Sequence, residues 1–549
     1  NGKLDRAALP APDFGGDRSA RRVAPRTPVE ESLARIWSDV LGIDGIGVED
    51  NFFELGGDSI LSLQVVSRAR QAGLHLAAKD LFVHQTIACL APAVTTVDED
   101  DLDTPVTGPV PLTPIQHWFF DTHVVNPHHF NQSVFVELTA GLDEQALWQA
   151  VEALVSHHDA LRMRFFQEDG EWRQDNPPAM AATVLRGHDL SGVAEEEQPE
   201  AMEKIADQVH AGFDLTSGSL LRAVLFTRGA GRAPYLLLVA HHLVIDGVSW
   251  RILLDDLETA YHQASRGEKV RLGPKTTSYR DWSLRLREHV AAGGLDHEVE
   301  HWASALGGRP LPVNRPSSAE PGPARAVSVS LTPEDTDTLL RTAPAVYRTR
   351  INDVLLTALG WALSRWTGDD RVRVDLEGHG REEILDGVDL SRTVGWFTTI
   401  FPVALDVTGG DDPDWRALVK SVRRQLRAVP GNGLGFGALR YLGAPAVRER
   451  LSEVGPQIVF NYLGQWDARA AEPGAGLYRG AHTALGREQD PAEPGTHPLE
   501  VVGAVQEGRL EAVWYYRPDL VGEPAVEAVA REFAEALRRI ARDCREAAS

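Results

Sequence analysis

Apolar positions in the first hundred residues recur at helical spacing. Thr27-Pro28-Val29-Glu30 reads as a helix start: Thr27 caps, Pro28 suits the first turn and Glu30 completes a capping box. Leu33, Ile36, Trp37 and Val40 continue one apolar face, which Gly42 can end. After Leu55-Gly56-Gly57-Asp58-Ser59-Ile60, the positions Leu63, Val65 and Val66 predict a second helix closing near Gly73. Two shorter helices are predicted at Lys79–Phe82 and from Thr86 to Val94. Together these predict a small all-α four-helix domain over residues 27–95.

From residue 111 to 545 the pattern changes to alternating strands and helices, an α/β class too large for one small core. Tyr235–Ala240 is a short unbroken apolar run, which reads as a buried strand. Val372, Val374 and Leu376 alternate with Arg371, Arg373, Asp375 and Glu377, the period of a half-buried strand. Glu144 to Leu161 and Asp353 to Trp366 are predicted as helices, with His157 and His158 on the face of the first. Residues 307–326, rich in Pro and Gly, divide the region into lobes of about 111–306 and 327–545, with a cleft expected between them. Residues 1–26 read as a linker, and 96–110 as an acidic linker carrying Asp98, Glu99, Asp100, Asp101 and Asp103.

Composition narrows the classes. The 549 residues carry 55 basic and 79 acidic side chains, a net charge of -24, which disfavours nucleic acid or an anionic membrane as partner. Cys89 and Cys544 are the two cysteines, too few for a disulfide framework or a cysteine-rich metal site, and a reducing cytoplasm is expected. No apolar run reaches membrane-spanning length, and the first residues do not read as a signal peptide. The abrupt start at Asn1-Gly2-Lys3 reads as a fragment of something longer.

Four places carry candidate chemistry. His241-His242 end the strand at 235–240, ahead of an Asp246-Gly247 turn; in extended chain their rings point to opposite sides, so one faces the cleft. Glu377 sits on the polar side of its strand, just before Gly378. Asn461-Tyr462 follow an apolar strand and can donate hydrogen bonds to a developing oxyanion. Ser59 begins a helix behind two glycines, where backbone amides favour a phosphate. Each has a plainer reading: a structural histidine, a solvated carboxylate, a closed turn, a helix cap.

The combination is more specific than its parts. DNFFELGGDSILSLQVVSR, with DLFVHQTIACLA, resembles the attachment region of peptidyl carrier proteins from nonribosomal peptide synthetases. The opening NGKLDRAALP resembles the last motif of an adenylation domain; the resemblance makes Lys3 that family's adenylation lysine, expected to be idle without the rest of that domain. PLTPIQHWFF, HHLVIDGVSWRIL, VDLEGHGRE, SRTVGWFTTIFPV, VPGNGLGFGALRYL and FNYLGQW occur in the order found in the epimerization domains of the same synthetases. That resemblance implies a two-lobed fold similar to chloramphenicol acetyltransferase, with a tunnel between the lobes. It implies 4'-phosphopantetheine on Ser59, and neither a metal nor pyridoxal phosphate. It implies His242 and Glu377 as an acid/base pair from opposite lobes, with Asn461 and Tyr462 near the reacting centre. Asp246 is expected as a structural anchor to an arginine, His379 and Arg381 as shaping the Glu377 loop, and His241 as serving the fold. Gly431, Gly433, Gly435 and Gly437 look like a loop that lets backbone approach the substrate.

The implied reaction is inversion at the Cα of an L-aminoacyl or peptidyl thioester, giving a D/L mixture. A thioester acidifies that Cα–H, and inversion requires proton removal on one face and delivery on the other. Implied partners are the chain's own carrier domain, an upstream adenylation domain, a downstream condensation domain and a phosphopantetheinyl transferase. A condensation-type acyl transferase and a non-catalytic carrier-binding domain are the competing readings; Glu377 within EGHGRE, the FNYLGQ segment and Asp58 ahead of Ser59 favour epimerization.

Overall fold

A computed structural model describes residues 23–96, 106–178, 184–229, 231–307, 311–312, 323–408, 410–465 and 476–548. Lys3 and the opening motif, Trp466, and most of both linkers lie outside the described residues.

The first domain folds as its apolar spacing dictates. Helices Pro28–Leu41, Ser59–Gln71, Ala78–Val83 and Ile87–Leu90 surround a core in which Leu33, Trp37, Val48, Phe52, Val65, Leu81, Ile87 and Leu90 are fully buried. Thr27 caps the first helix, and Gly42 closes it in the left-handed conformation. Glu30 reaches back further than a capping box requires: its carboxylate accepts from the Arg26 amide at 2.6 Å.

The second region is built on two sheets. The first runs in the order Tyr478–His482, Asn131–Leu138, Tyr235–His241, Leu221–Thr227, Leu185–Asp189. The second runs Arg325–Ser330, Arg509–Tyr516, Leu499–Gln506, Ile458–Gln465, Arg371–Gly378, Thr399–Asp406, and three of its four inner strands, Leu499–Gln506, Ile458–Gln465 and Arg371–Gly378, are mutually parallel. The division into lobes by chain position fails at one strand: Tyr478–His482 comes from the second half yet completes the edge of the first sheet. Strand Arg325–Ser330 also begins inside the stretch expected to be linker.

Other local expectations are corrected by tertiary context. Asp246-Gly247 is not a free turn: Asp246 accepts from the Ser249 amide at 2.8 Å and caps the helix Gly247–Ser265. The helix at 144 stops at His157, and His158 turns inward, buried against Asp256. Asn461 and Tyr462 lie in the middle of a strand, not at its end. The glycine series is not one loop. Gly431 and Gly433 have φ of 49° and 92° in a tight turn, while Gly435 and Gly437 lie in the helix Leu434–Leu442. A Cβ on Gly435 would sit 1.8 Å from the Glu298 carboxylate, which would have to move off the Trp302 indole N–H that it accepts from. Among the described residues no helix is long and apolar enough to cross a membrane.

Candidate active site

The strand ending at His241 sends its two histidine rings in opposite directions. His241 is fully buried, donating from Nε2 to the Pro127 carbonyl (2.9 Å) and accepting from the Leu243 amide at Nδ1 (3.2 Å). Burial holds its pKa down at about 3, so it stays neutral and structural. His242 is half-buried between two aromatic rings: Phe130 stacks at 5.3 Å and Trp396, brought over from the second lobe, at 4.2 Å.

Its tautomer is fixed by its neighbours. His242 Nδ1 lies 2.8 Å from the Ile245 carbonyl, an acceptor, so Nδ1 carries the proton and Nε2 carries a lone pair. Gln132 Nε2 donates to that lone pair at 3.0 Å, and the amide is held in this orientation by Trp250, whose indole N–H donates to Gln132 Oε1 at 3.1 Å. Burial lowers the imidazole pKa, opposed by the Ile245 carbonyl and by Asp246. The motif pattern did not single out Gln132. Asn131, Ser133 and Glu137 on the same strand are polar too, so the pattern gives no signal, and only strand pairing sets Gln132 opposite Ala240.

Glu377 ends the matching strand of the second lobe. Burial pushes its carboxyl up to about 8; the nearby Glu500 adds to this, and Asn461 opposes it by donating to Oε2 at 2.6 Å. Strand alternation sets its direction. Asp375 shares its face, and Ile400 is its cross-strand neighbour; both line a cavity between the lobes.

Tyr462 separates from this group. Adjacent to Asn461 on a strand, it points to the other sheet face, where it lines a small pocket with Gly56, Gly57 and Asp58 of the carrier and with Arg350. Its hydroxyl is buried and finds no hydrogen-bond partner among the described residues, and burial raises its pKa far above the ordinary phenol. The expectation that Asn461 and Tyr462 act side by side is thus replaced: the amide meets Glu377 and the phenol meets the carrier.

Arg381 ties the lobes together. From the second lobe it donates to both Asp246 oxygens (3.0 and 3.2 Å), to Ser249 Oγ and to the Leu390 and Thr393 carbonyls, over the face of Phe397. Asp246 also accepts from the Phe397 amide at 3.1 Å, which places the neighbouring Trp396 on His242. The expected anchor is therefore this buried pair. His379 accepts from the Arg381 amide at 3.1 Å and shapes the same turn.

The carrier sits against this assembly. Asp58 accepts from the Ile60 and Leu61 amides and starts the helix at Ser59, and its carboxylate lies where a Cβ on Gly464 would be 3.3 Å away. Gly57 is required, since a Cβ there would lie 2.3 Å from the Phe52 ring. Along the same helix Arg68 faces Asp255 (3.6 Å), and Arg70 pairs with Asp389. Ser67 accepts from Arg392 at 2.7 Å. Arg392 is buried and bonded to Asp256, which in turn holds His158 at 2.9 Å. His157, His158 and Asp256 are close enough to share an ion, but the Arg392 guanidinium already neutralises that carboxylate. Ser59 thus stands at a helix start, next to Asp58, which shares a small pocket with the unpartnered Tyr462 hydroxyl; a helix start fits an attached phosphate ester.

A carrier helix bundle docked on a two-lobed α/β domain, with a histidine supplied by one lobe and a carboxyl by the other, defines a carrier-dependent acyl-processing protein. A phosphopantetheine attachment site model matches residues 31–94, and a condensation domain model matches residues 106–549. The chain belongs to the condensation-domain family of nonribosomal peptide synthetases, joined to its carrier domain, with 4'-phosphopantetheine borne on Ser59. The epimerization domain from the third module of tyrocidine synthetase B superposes with a TM-score of 0.75 at 32% identity, covering 82% of this chain and 100% of that one. The first condensation domain of the calcium-dependent antibiotic synthetase shares the fold, with a TM-score of 0.60 at 21% identity over 79% of this chain and 96% of that one. Chondramide synthase of Chondromyces crocatus is 44% identical over 99% of this chain, and a surfactin synthase of Bacillus subtilis 40% over 99%. The chain spans only 14% and 15% of those two relatives.

Proposed function

We propose that the second domain epimerises the Cα of an acyl thioester carried by Ser59, with His242 and Glu377 exchanging the proton. The observation that carries this reading is Glu377: a half-buried carboxyl of the second lobe, oriented by Asn461 and held largely protonated near neutral pH. A condensation reaction needs one base near an amine; it gives no task to a second, proton-holding carboxyl on the other lobe. The attached arm delivers the thioester, whose carbonyl makes the Cα–H acidic.

The two groups suit the two faces of a planar enolate. His242 carries its lone pair on Nε2, where the Gln132 amide donates, and accepts a proton there once the substrate Cα–H takes the place of that donor. Glu377, neutral near pH 7, donates from the other side. The product state has a protonated imidazole and an ionised carboxylate, which run the reverse reaction, so the outcome is a D/L mixture. Arg381 and Asp246 hold the walls at their spacing.

The test is exchange without an acceptor. With Ser59 loaded with an L-acyl phosphopantetheine in deuterated water, the released acyl group is expected to carry Cα deuterium and mixed stereochemistry. His242→Ala and Glu377→Ala are expected to abolish both. Retained L configuration with no deuterium would sink the reading in favour of acyl transfer or passive carrier binding.

A further inference from the structure

We infer that the substrate is a peptidyl rather than an aminoacyl thioester, with the residues upstream of the inverted centre housed between the lobes; this rests on the epimerase reading above. A cavity of about 500 Å³ lies there, walled by Trp118, Trp282, Phe397, Ile400, Phe436 and Tyr441 among others. Neither proton carrier lines it, but each connects to its wall through a neighbour. Trp118 packs on Trp396, which covers His242, and Ile400 is the cross-strand neighbour of Glu377. The carrier lies elsewhere, where Gly56, Gly57 and Asp58 meet Tyr462 in a different pocket. An acyl chain entering from Ser59 meets the acid/base pair, and what extends beyond its Cα goes into the cavity.

Size and charge favour a peptide. At about 500 Å³ the cavity falls in the size range of sites for drug-sized ligands. An aminoacyl group brings only an amine and one side chain beyond Cα, about eleven non-hydrogen atoms even for an indole. The rest of the space would stay unfilled by a single residue and is filled by one or two more.

A single amino acid would also bring a cationic amine. The wall's inner carboxylate, Asp375, is bonded to His497 at 2.8 Å, and Asp121 is exposed. Arg440 adds a cation to the same wall. A neutral amide-linked chain suits this lining better than an ammonium. The wall segment Ser452 and Val454 is exposed, with Val454 79% accessible, so the cavity opens to solvent and a longer chain can continue outward.

The experiment compares two loads on the intact chain. A phosphopantetheinyl transferase places on Ser59 either L-phenylalanyl-pantetheine or a tripeptidyl-pantetheine ending in the same L-phenylalanine, each from its coenzyme A thioester, and a leucine pair repeats the comparison. Cα deuterium uptake is followed by mass spectrometry. Contacts remote from the reacting atoms accelerate turnover, so the tripeptidyl load is expected to exchange at least about tenfold faster. Equal or faster exchange of the aminoacyl load overturns the inference. Absence of exchange from both loads overturns the epimerase reading itself, a distinct result. Ser452→Trp/Val454→Trp, on the exposed mouth, is expected to slow tripeptidyl exchange at least about fivefold more than aminoacyl exchange. Tripeptidyl exchange untouched by the plug also overturns the inference.

Discussion

Replacing Asn461 by leucine, close to it in shape but without a donor, tests how the proton is held. Asn461 Nδ2 donates to Glu377 Oε2 at 2.6 Å and favours the ionised carboxylate. A hydrogen bond to a charged group contributes about 1.5–3 kcal/mol. At about 1.36 kcal/mol per pKa unit, its loss raises the Glu377 pKa by roughly one to two units, starting from about 8. Exchange needs one proton shared by the pair, since one member must accept while the other donates. His242 lies below its ordinary value and Glu377 above, so the rate is bell-shaped. The acid limb reports His242 gaining a proton, and the alkaline limb reports Glu377 losing one near pH 8. Asn461→Leu is therefore expected to move the alkaline limb upward by about one to two units and leave the acid limb in place. The assay is Cα deuterium uptake against pD, normalised to the thioester still intact at each point. An alkaline limb that stays put, or moves down, refutes the assignment of that limb to Glu377.

Three further outcomes follow from the same geometry. Gln132→Glu places a carboxylate on His242 Nε2 and stabilises the imidazolium, so the acid limb moves to higher pH by about one unit or more, read from the same profile or from imidazole NMR titration. Arg381→Met leaves Asp246 buried without its cation and is expected to cost about 3–5 kcal/mol in urea unfolding; a loss under 1 kcal/mol, roughly the worth of a surface pair, contradicts the anchor role. Arg392→Ala removes the donor to Ser67, so the ratio of carrier-borne exchange to exchange of a soluble N-acetylcysteamine thioester is expected to fall about tenfold. An unchanged ratio excludes Arg392 from carrier positioning.

Short-range chemistry was legible in the sequence. Thr27, Gly42 and Asp58-Ser59 sit at helix ends because caps and left-handed residues act over three or four positions, and the opposed fates of His241 and His242 follow from strand alternation. What escaped was set by pairing between distant strands. Asn461 reaches Glu377 only because Ile458–Gln465 lies parallel to Arg371–Gly378, and the same alternation turns Tyr462 to the carrier. Gln132 has no motif around it, and its role appears only when strand pairing sets it across from Ala240, beside His242. His158 read as a helix-face residue because nothing near it in sequence announces Asp256, 98 positions away.

The strand Tyr478–His482 has a consequence for how the chain is made. Until residue 482 has left the ribosome, Asn131–Leu138 is an open sheet edge with unpaired backbone groups. With its other strands complete at His241, the sheet waits unfinished while the next 241 residues, to His482, are synthesised, a long exposure for an aggregation-prone edge. Exchanging one lobe between related synthetases at the junction near residue 320 would separate that strand from its sheet. A graft that carries residues 476–498 along with the first lobe keeps the edge closed.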